Sequence, residues 1–164
     1  MTAADIPAAI ALFRASVRQI ARRDYSEAQV RAWAPDQIDP AGWTARFEGS
    51  LAWMALSGGV PAGFCVLKRS GLLDMMFSHP GHQGRGIASA LLERAETAAL
   101  DLGLALLSTE ASLTARPFFL ARGFRILRRQ LVSLRGQDFI NFRMEKALGR
   151  KDAGPPPAAP RSPV

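Results

Sequence analysis

The run His79-Pro80-Gly81-His82-Gln83-Gly84-Arg85-Gly86-Ile87-Ala88 carries the strongest chemical signal in the sequence, because it lies between an apolar strand and an amphipathic helix. Glycines at a helix entrance let the backbone approach a ligand closely, and the first N–H groups of a helix have no partner within it. Those groups point outward with the positive end of the helix dipole, which suits an anion of diphosphate type. The phosphate loop of nucleotide hydrolases is excluded, since the lysine and hydroxyl of G-x-x-x-x-G-K-[ST] are missing after Gly86. A dinucleotide-dependent oxidoreductase is a closer competitor: Gly84-Arg85-Gly86-Ile87-Ala88-Ser89 supplies two of the three expected glycines, and Glu110 ends the next strand where a ribose would sit. Against it, the first glycine falls several residues past the strand, antiparallel strands come before the unit, and no second βαβαβ half follows.

Composition sets the frame. A chain of 164 residues, 48% hydrophobic and 21% charged, matches one ordinary globular domain. The net charge of +7, from 21 Lys+Arg against 14 Asp+Glu, makes an anionic partner plausible. Arginine is dispersed rather than blocked, which argues against nucleic acid. One cysteine, Cys65, excludes an internal disulfide and reads as a small buried residue, and no metal-ligand set is visible. No apolar run reaches the ~18 residues of a membrane span, and the N-terminus has no leader pattern, so a cytoplasmic protein is expected.

The elements that must position the loop follow from periodicity. Ile6, Ile10, Phe13, Val17 and Ile20 form one helical stripe, started by Asp5 as N-cap with Pro7 in the first turn. Ser26 and Gln29 form a capping signature for a short helix that carries Val30 and Trp33 and stops near Pro35, and a third helix is expected from about Ala41 to Phe47. Then come extended segments, Leu51 to Ser57, Val60 to Arg69 and Leu72 to Phe77, broken at Gly58-Gly59 and Ser70-Gly71. After the loop, Ile87, Leu91, Leu92, Ala95 and Ala99 return to helical spacing, a strand is expected at Leu104 to Thr109, and a helix from Leu113 to Arg122 closes on Gly123. Two strands, Phe124 to Arg135 and Asp138 to Glu145, meet at Gly136-Gln137. Pro155, Pro156, Pro157, Pro160 and Pro163 mark 149–164 as a disordered tail, which leaves 1–148 as the domain.

Gln83-Gly84-Arg85-Gly86-Ile87-Ala88 resembles the Arg/Gln-x-x-Gly-x-Gly/Ala loop with which GNAT N-acyltransferases hold the diphosphate of acyl-CoA. The segment Ser112-Leu113-Thr114-Ala115-Arg116-Pro117-Phe118-Phe119-Leu120-Ala121-Arg122-Gly123-Phe124 is similar to that family's Asn-x-x-Ala-x-x-Phe-Tyr-x-x-x-Gly-Phe, and the order of elements agrees over nearly the whole ordered chain. The resemblance implies an α/β (α+β) GNAT fold: a mixed sheet of six or seven strands, splayed between the family's fourth and fifth strands, with about four helices. It implies that Leu72 to Ser78 and Leu104 to Thr109 part so that pantetheine enters between them, with Met76, Phe77 and Ser78 on the exposed edge and Ser112 in the place of the family's asparagine. Arg116 and Arg122 could meet nucleotide phosphates. Members usually begin with a strand before the first helix, which this chain lacks or has only as a few residues.

The implied reaction moves an acetyl group from acetyl-CoA, as donor substrate, to a primary amine. An alkyl ammonium of pKa near ~10.4 must first lose a proton. Glu110 is the first choice for the base, and Asp74, sharing a face with Met76 and Ser78 by alternation, the second. His79 and His82 flank the loop and carry imidazole, a side-chain type suited to proton transfer, though they read as loop residues. A backbone N–H near Phe77 or Ser78 would serve the oxyanion. The family's tyrosine, which protonates the leaving thiolate, is Phe119 here. Ser112, water or Tyr25 could replace it; alternatively the chain is a catalytically silent acyl-CoA-binding domain. Tyr25, Gln29 and Trp33, at helical spacing, would line the acceptor site for a small-molecule or peptide amine. A monomer or a homodimer paired through the last strands is expected.

Overall fold

The computed structural model describes residues 1–149. The proline-rich segment expected to be disordered lies outside the described residues, apart from Gly149.

Helix α1 (Ile6–Gln19) buries Ile6, Ile10, Phe13 and Val17 as the stripe predicts. Its start differs from expectation. The Asp5 carboxylate accepts from the Thr2 N–H at 2.7 Å, inside a 3₁₀ turn at Ala3–Asp5, and so caps that turn rather than α1. No strand precedes α1 among the described residues; instead the amino group of Met1 donates to the Ala52 carbonyl at 2.9 Å. Helix α2 (Glu27–Trp33) begins with the reciprocal Ser26–Gln29 box, its two bonds 3.2 and 2.8 Å long. Helix α3 (Pro40–Phe47) begins one residue before the expected start, because the Asp39 carboxylate accepts from the Ala41 and Gly42 N–H groups and Pro40 fits the first turn.

Strands β1 (Leu51–Ser57), β2 (Val60–Leu67) and β3 (Leu72–Ser78) form the antiparallel meander. Helix α4 (Ile87–Asp101) crosses back and feeds β4 (Leu106–Ser112). The expected start of β4 at Leu104 is overturned: the Leu104 N–H bonds the Ala99 carbonyl at 2.9 Å around left-handed Gly103, so Leu104 still belongs to the helix cap. Helix α5 (Arg116–Ala121) is shorter than expected, since residues 113–115 form a turn that Ser112 Oγ holds by accepting from Ala115 N–H at 3.0 Å. Strands β5 (Arg125–Leu134) and β6 (Gln137–Ala147) complete the sheet, ordered β1-β2-β3-β4-β6-β5.

One apolar cluster lies under α4 and α5 and includes Cys65, Leu73, Leu91, Ala95, Phe119 and Met144. A second lies under α1 to α3 and includes Phe13, Val17, Tyr25, Phe64, Met75 and Phe139. Gly63 on β2 lets α4 settle on the sheet, because a Cβ there would lie 2.7 Å from Ile87 Cγ2 and 3.0 Å from Leu91 Cδ1. The absence of a side chain at residue 63 thus sets how close the start of α4 comes to β2 and β3.

Candidate active site

Strands β3 and β4 are parallel and pair only at Leu72↔Ser108 and Leu73↔Thr109. The buried Thr109 hydroxyl donates to the Leu73 carbonyl at 3.0 Å at this last shared rung. Beyond it β4 stays with β6 as far as Ser112↔Asn141, whereas β3 stays with β2 as far as Gly63↔Ser78. The two strands therefore diverge because each has a better antiparallel partner on its other side. This leaves Met76, Phe77 and Ser78 on a β3 edge without a ladder partner toward β4. The parting occurs between the strands the sequence named, which are third and fourth in order because, among the described residues, no strand precedes α1.

The glycine loop meets the start of α4 beside this gap. Gly84 and Gly86 have φ of +71° and +77°, and the space a Cβ would occupy at each is open. Gly86 is the left-handed N-cap of α4 and offers no side chain to the first turn. Among the described residues, no acceptor of the chain meets the N–H groups of residues 84–89. Gln83, Gly84, Arg85 and Gly86 are exposed, and Ile87 and Ala88 half-buried. The result is a concave row of amide donors that an oxyanion can reach. His79 fixes the loop: its N–H bonds the Ala62 carbonyl at 2.8 Å and its Nδ1 accepts from Gly81 N–H at 3.1 Å. Arg122 donates to Ser89 Oγ at the first turn of α4, while Arg116 stacks over the Phe142 ring at 4.6 Å. Of the two arginines, only Arg122 stands at the loop.

A cavity of about 740 Å³ opens between the parted strands and helices α2 and α3. Phe13, Tyr25, Trp33, Trp43, Phe77 and Phe139 supply most of its aromatic wall, and Glu110, Ser112, Phe119 and Asn141 also face it. Glu110 is not at the end of β4 as the sequence suggested; it lies inside the strand, paired in register with Arg143. Its carboxylate is exposed and accepts from Gln130 Nε2 at 3.1 Å, and among the described residues it forms no ion pair.

Asp74 departs from its expected place. A bulge in the β2–β3 ladder between Val66 and Leu67 inserts Asp74 between Leu73 and Met75, so that simple alternation fails there. Leu73 and Met76 pack toward α4, and Met75 and Phe77 toward α1. The Asp74 carboxylate turns to α3, where Arg46 donates to both of its oxygens at 2.9 Å, and Lys68 stands 3.9 Å away. A carboxylate held in a two-pronged charge-assisted pair is poorly placed to take a proton.

Gln29 is not a wall residue. Its side chain completes the α2 cap and donates to the Asp138 carbonyl at 2.7 Å. Tyr25 and Trp33 do line the cavity, but the Tyr25 hydroxyl is fully engaged, donating to the Ile140 carbonyl at 3.1 Å and accepting from Leu113 N–H at 2.9 Å. Burial pushes this phenol above its ordinary pKa, with the Asp24 charge adding to the effect. Phe119 is buried against Phe118 and Phe124 with its ring at the cavity. Cys65 is buried beneath α4, and desolvation pushes its thiol up to about 12, which removes it as a nucleophile. Among the described residues, no group of three His, Cys, Asp or Glu side chains converges as a metal site, and no helix is long and apolar enough to cross a membrane.

Sequence reasoning missed Gln130 and Asn141. Both lie in strand segments that read as generic, and only the register of the β5–β6 hairpin, fixed by its turn at Arg135-Gly136, aligns Gln130 with Asn141 and Asn141 with Ser112. An asparagine between Ile140 and Phe142 in an apolar strand run was the one available signal.

Comparison with known proteins agrees with this architecture. Residues 21–146 match the family model described as an acetyltransferase (GNAT) domain. An uncharacterised N-acetyltransferase of Escherichia coli (strain K12), YafP, is 36% identical over 140 residues, covering 85% of this chain and 88% of that protein. The crystal structure of a GCN5-related N-acetyltransferase from Rhodopseudomonas palustris is 36% identical with a TM-score of 0.86, over 90% of this chain and 92% of that one. PaiA N-acetyltransferase from Thermoplasma acidophilum, solved in complex with coenzyme A, shares the fold at 21% identity and a TM-score of 0.70, over 90% and 95% of the two chains. The match in sequence and the parted strands beside an open glycine turn leave no place for the dinucleotide reading: the chain belongs to the GNAT superfamily and is an acyltransferase of the N-acetyltransferase type.

Proposed function

We propose that this protein transfers an acetyl group from acetyl-CoA to the primary amine of a small molecule or peptide, by direct attack while both substrates are bound. The observation that carries the proposal is the open left-handed turn at Gly84 and Gly86, with unpartnered amides at the start of α4, next to the parted β3 and β4. The thioester supplies an activated acyl group; the chain's task is to hold it, orient the amine and move protons.

Gln83, Gly84, Arg85, Gly86, Ile87 and Ala88 would take the diphosphate through main-chain N–H groups, as helix N-termini favour anions. Met76, Phe77 and Ser78 would pair with pantetheine along the free β3 edge, with Ser112 and Phe119 on the opposite side of the gap. Glu110 is the proposed base: it lines the cavity, it is reached by solvent, and its hydrogen bond to Gln130 orients it without neutralising it. We do not assign Asp74 a proton-transfer role, because Arg46 occupies both of its oxygens. Phe119 cannot protonate the departing thiolate. A thiol of pKa near ~8.5 leaves tolerably without help, and the Ser112 hydroxyl, whose oxygen accepts from Ala115 and whose hydrogen faces the Tyr25 oxygen, would have to turn from Tyr25 to donate to it. Action in the cytoplasm, as a monomer or a homodimer, belongs to the same proposal.

The test is free-thiol release from acetyl-CoA across an amine panel, with acetyl-CoA affinity measured by calorimetry in parallel. Turnover with at least one amine supports the reading. Tight binding with silence over the whole panel would instead favour a silent acyl-CoA-binding domain, the reading that Phe119 motivates.

A further inference from the structure

Asn141 presents a hydrogen-bond acceptor that the fold itself does not use. Its Oδ1 is buried and has no partner, yet Asn141 is among the residues that face the cavity. A buried polar atom without a partner is unfavourable, so one carried by a residue that lines a cavity marks where a ligand donor, met by a small turn of the amide, would restore the lost bond. Its neighbours are fixed by register: Asn141 pairs with Ser112 on β4 and with Gln130 on β5. Directly paired residues share a sheet face, and so do residues two apart on a strand, which puts Glu110, Ser112, Gln130 and Asn141 on one face. The charges at this cavity leave Glu110 alone available for a cation. Asp39 caps α3, Asp74 is paired with Arg46, and Arg135 donates to the Ala32 carbonyl at 2.8 Å. Around this polar end stand flat apolar rings, with Trp33 lying 5.5 Å from Tyr25, 6.1 Å from Phe139 and 6.4 Å from Phe77, centroid to centroid.

Resting on the transferase reading, we propose that Asn141 Oδ1 accepts a hydrogen bond from the amine nitrogen of the acceptor, and that this acceptor is a primary amine carried on an aromatic body that packs among Trp33, Phe77 and Phe139. Asn141 then fixes the nitrogen beside Glu110, and the ring wall selects against hydrated, multiply charged amines, which would lose water without gaining partners.

Steady-state kinetics with tryptamine and phenethylamine against butylamine and spermidine tests this, using the full chain and Asn141→Leu, with acetyl-CoA affinity read separately by calorimetry. We expect the arylalkyl amines to exceed the aliphatic ones at least tenfold in kcat/KM. Asn141→Leu should raise the KM of the preferred amine about tenfold while acetyl-CoA affinity stays unchanged. Asn141→Asp, which keeps an acceptor oxygen at nearly the same volume, should hold KM within about threefold of the parent and guards against a leucine variant that fails to fold. An unchanged KM in Asn141→Leu, a KM in Asn141→Asp raised as much as in a folded Asn141→Leu, or butylamine or spermidine used as well as the arylalkyl amines, overturns the inference while leaving the transferase reading intact. Loss of acetyl-CoA binding by the parent chain overturns the transferase reading, and this inference with it.

Discussion

Tyr25 is the chain's only tyrosine, and its hydroxyl ties the turn after α1 to both β6 and the segment after β4. Removing the oxygen would leave Leu113 N–H and the Ile140 carbonyl without this partner, at a cost of about 1–3 kcal/mol. Tyr25→Phe should therefore lower the melting temperature by about 2–12 °C, at 2–4 °C per kcal/mol for a chain of this size, while the rate of thiol release changes little. A large fall in kcat with unchanged stability would reassign the phenol to proton transfer. Glu110 should behave in the opposite way: its carboxylate is exposed and bonded only to a neutral amide, so Glu110→Gln should leave stability nearly unaltered. If Glu110 removes the ammonium proton, kcat should fall by about 10²–10⁴ with acetyl-CoA affinity preserved, as single-turnover kinetics and calorimetry would show. Neither contrast follows from residue type alone, since both side chains are ordinary candidates until their hydrogen bonds are known.

At the scale of elements, the start of α4 and the turn before it act as a unit. Gly86→Ala places a Cβ on a left-handed backbone at a cost of about 1–2 kcal/mol, and relief of that strain would rotate the amides away from their common focus. Acetyl-CoA affinity should fall about tenfold or more by calorimetry. Gly63→Val acts on the same geometry from beneath, because its side chain would collide with Ile87 and Leu91 and lift α4 from β2. A pH-dependent tie lies on the other side of the cavity, where the Thr114 hydroxyl donates to Asp24 at 2.7 Å. This bond, with Arg23 beside it, holds the Asp24 carboxyl below its ordinary value of 3.8, against the opposing effect of burial. The stabilisation is fully present above that ordinary value and disappears as pH falls through the lower folded one. Asp24→Asn should lose this stabilisation, less than the ~1 kcal/mol of an exposed pair, at neutral pH and converge with the parent below that window, so that the acid side of its melting-temperature profile is flatter.

For the whole molecule, a ligand that binds only the folded state raises stability by about 2.7 kcal/mol at a hundredfold excess over its Kd. Acetyl-CoA should then raise the melting temperature by about 5–10 °C, and NAD should not. The charge of +7 adds a long-range attraction for the polyanionic donor, so this shift should shrink between low and physiological salt. A stabilisation by NAD equal to that by acetyl-CoA would contradict the family assignment.

What the sequence determined by itself was local. The α1 stripe, the Ser26–Gln29 box, the Gly58-Gly59 turn and the glycine loop were legible because each depends on residues within one turn or hairpin of one another. The same locality gave the family resemblance, since both of its motifs are short contiguous runs. Tertiary structure decided what those elements do together. Alternation alone put Asp74 on the face of Met76, until a bulge turned it to Arg46. Helical spacing alone made Gln29 a wall residue, whereas its amide bonds the Asp138 carbonyl 109 residues away. Asn141 comes to face the cavity beside Ser112 and Gln130 only through register across two ladders. Cross-strand register, bulges and long-range side-chain bonds are set by competition among distant partners for the same hydrogen-bonding groups, and that competition is resolved only when the sheet assembles.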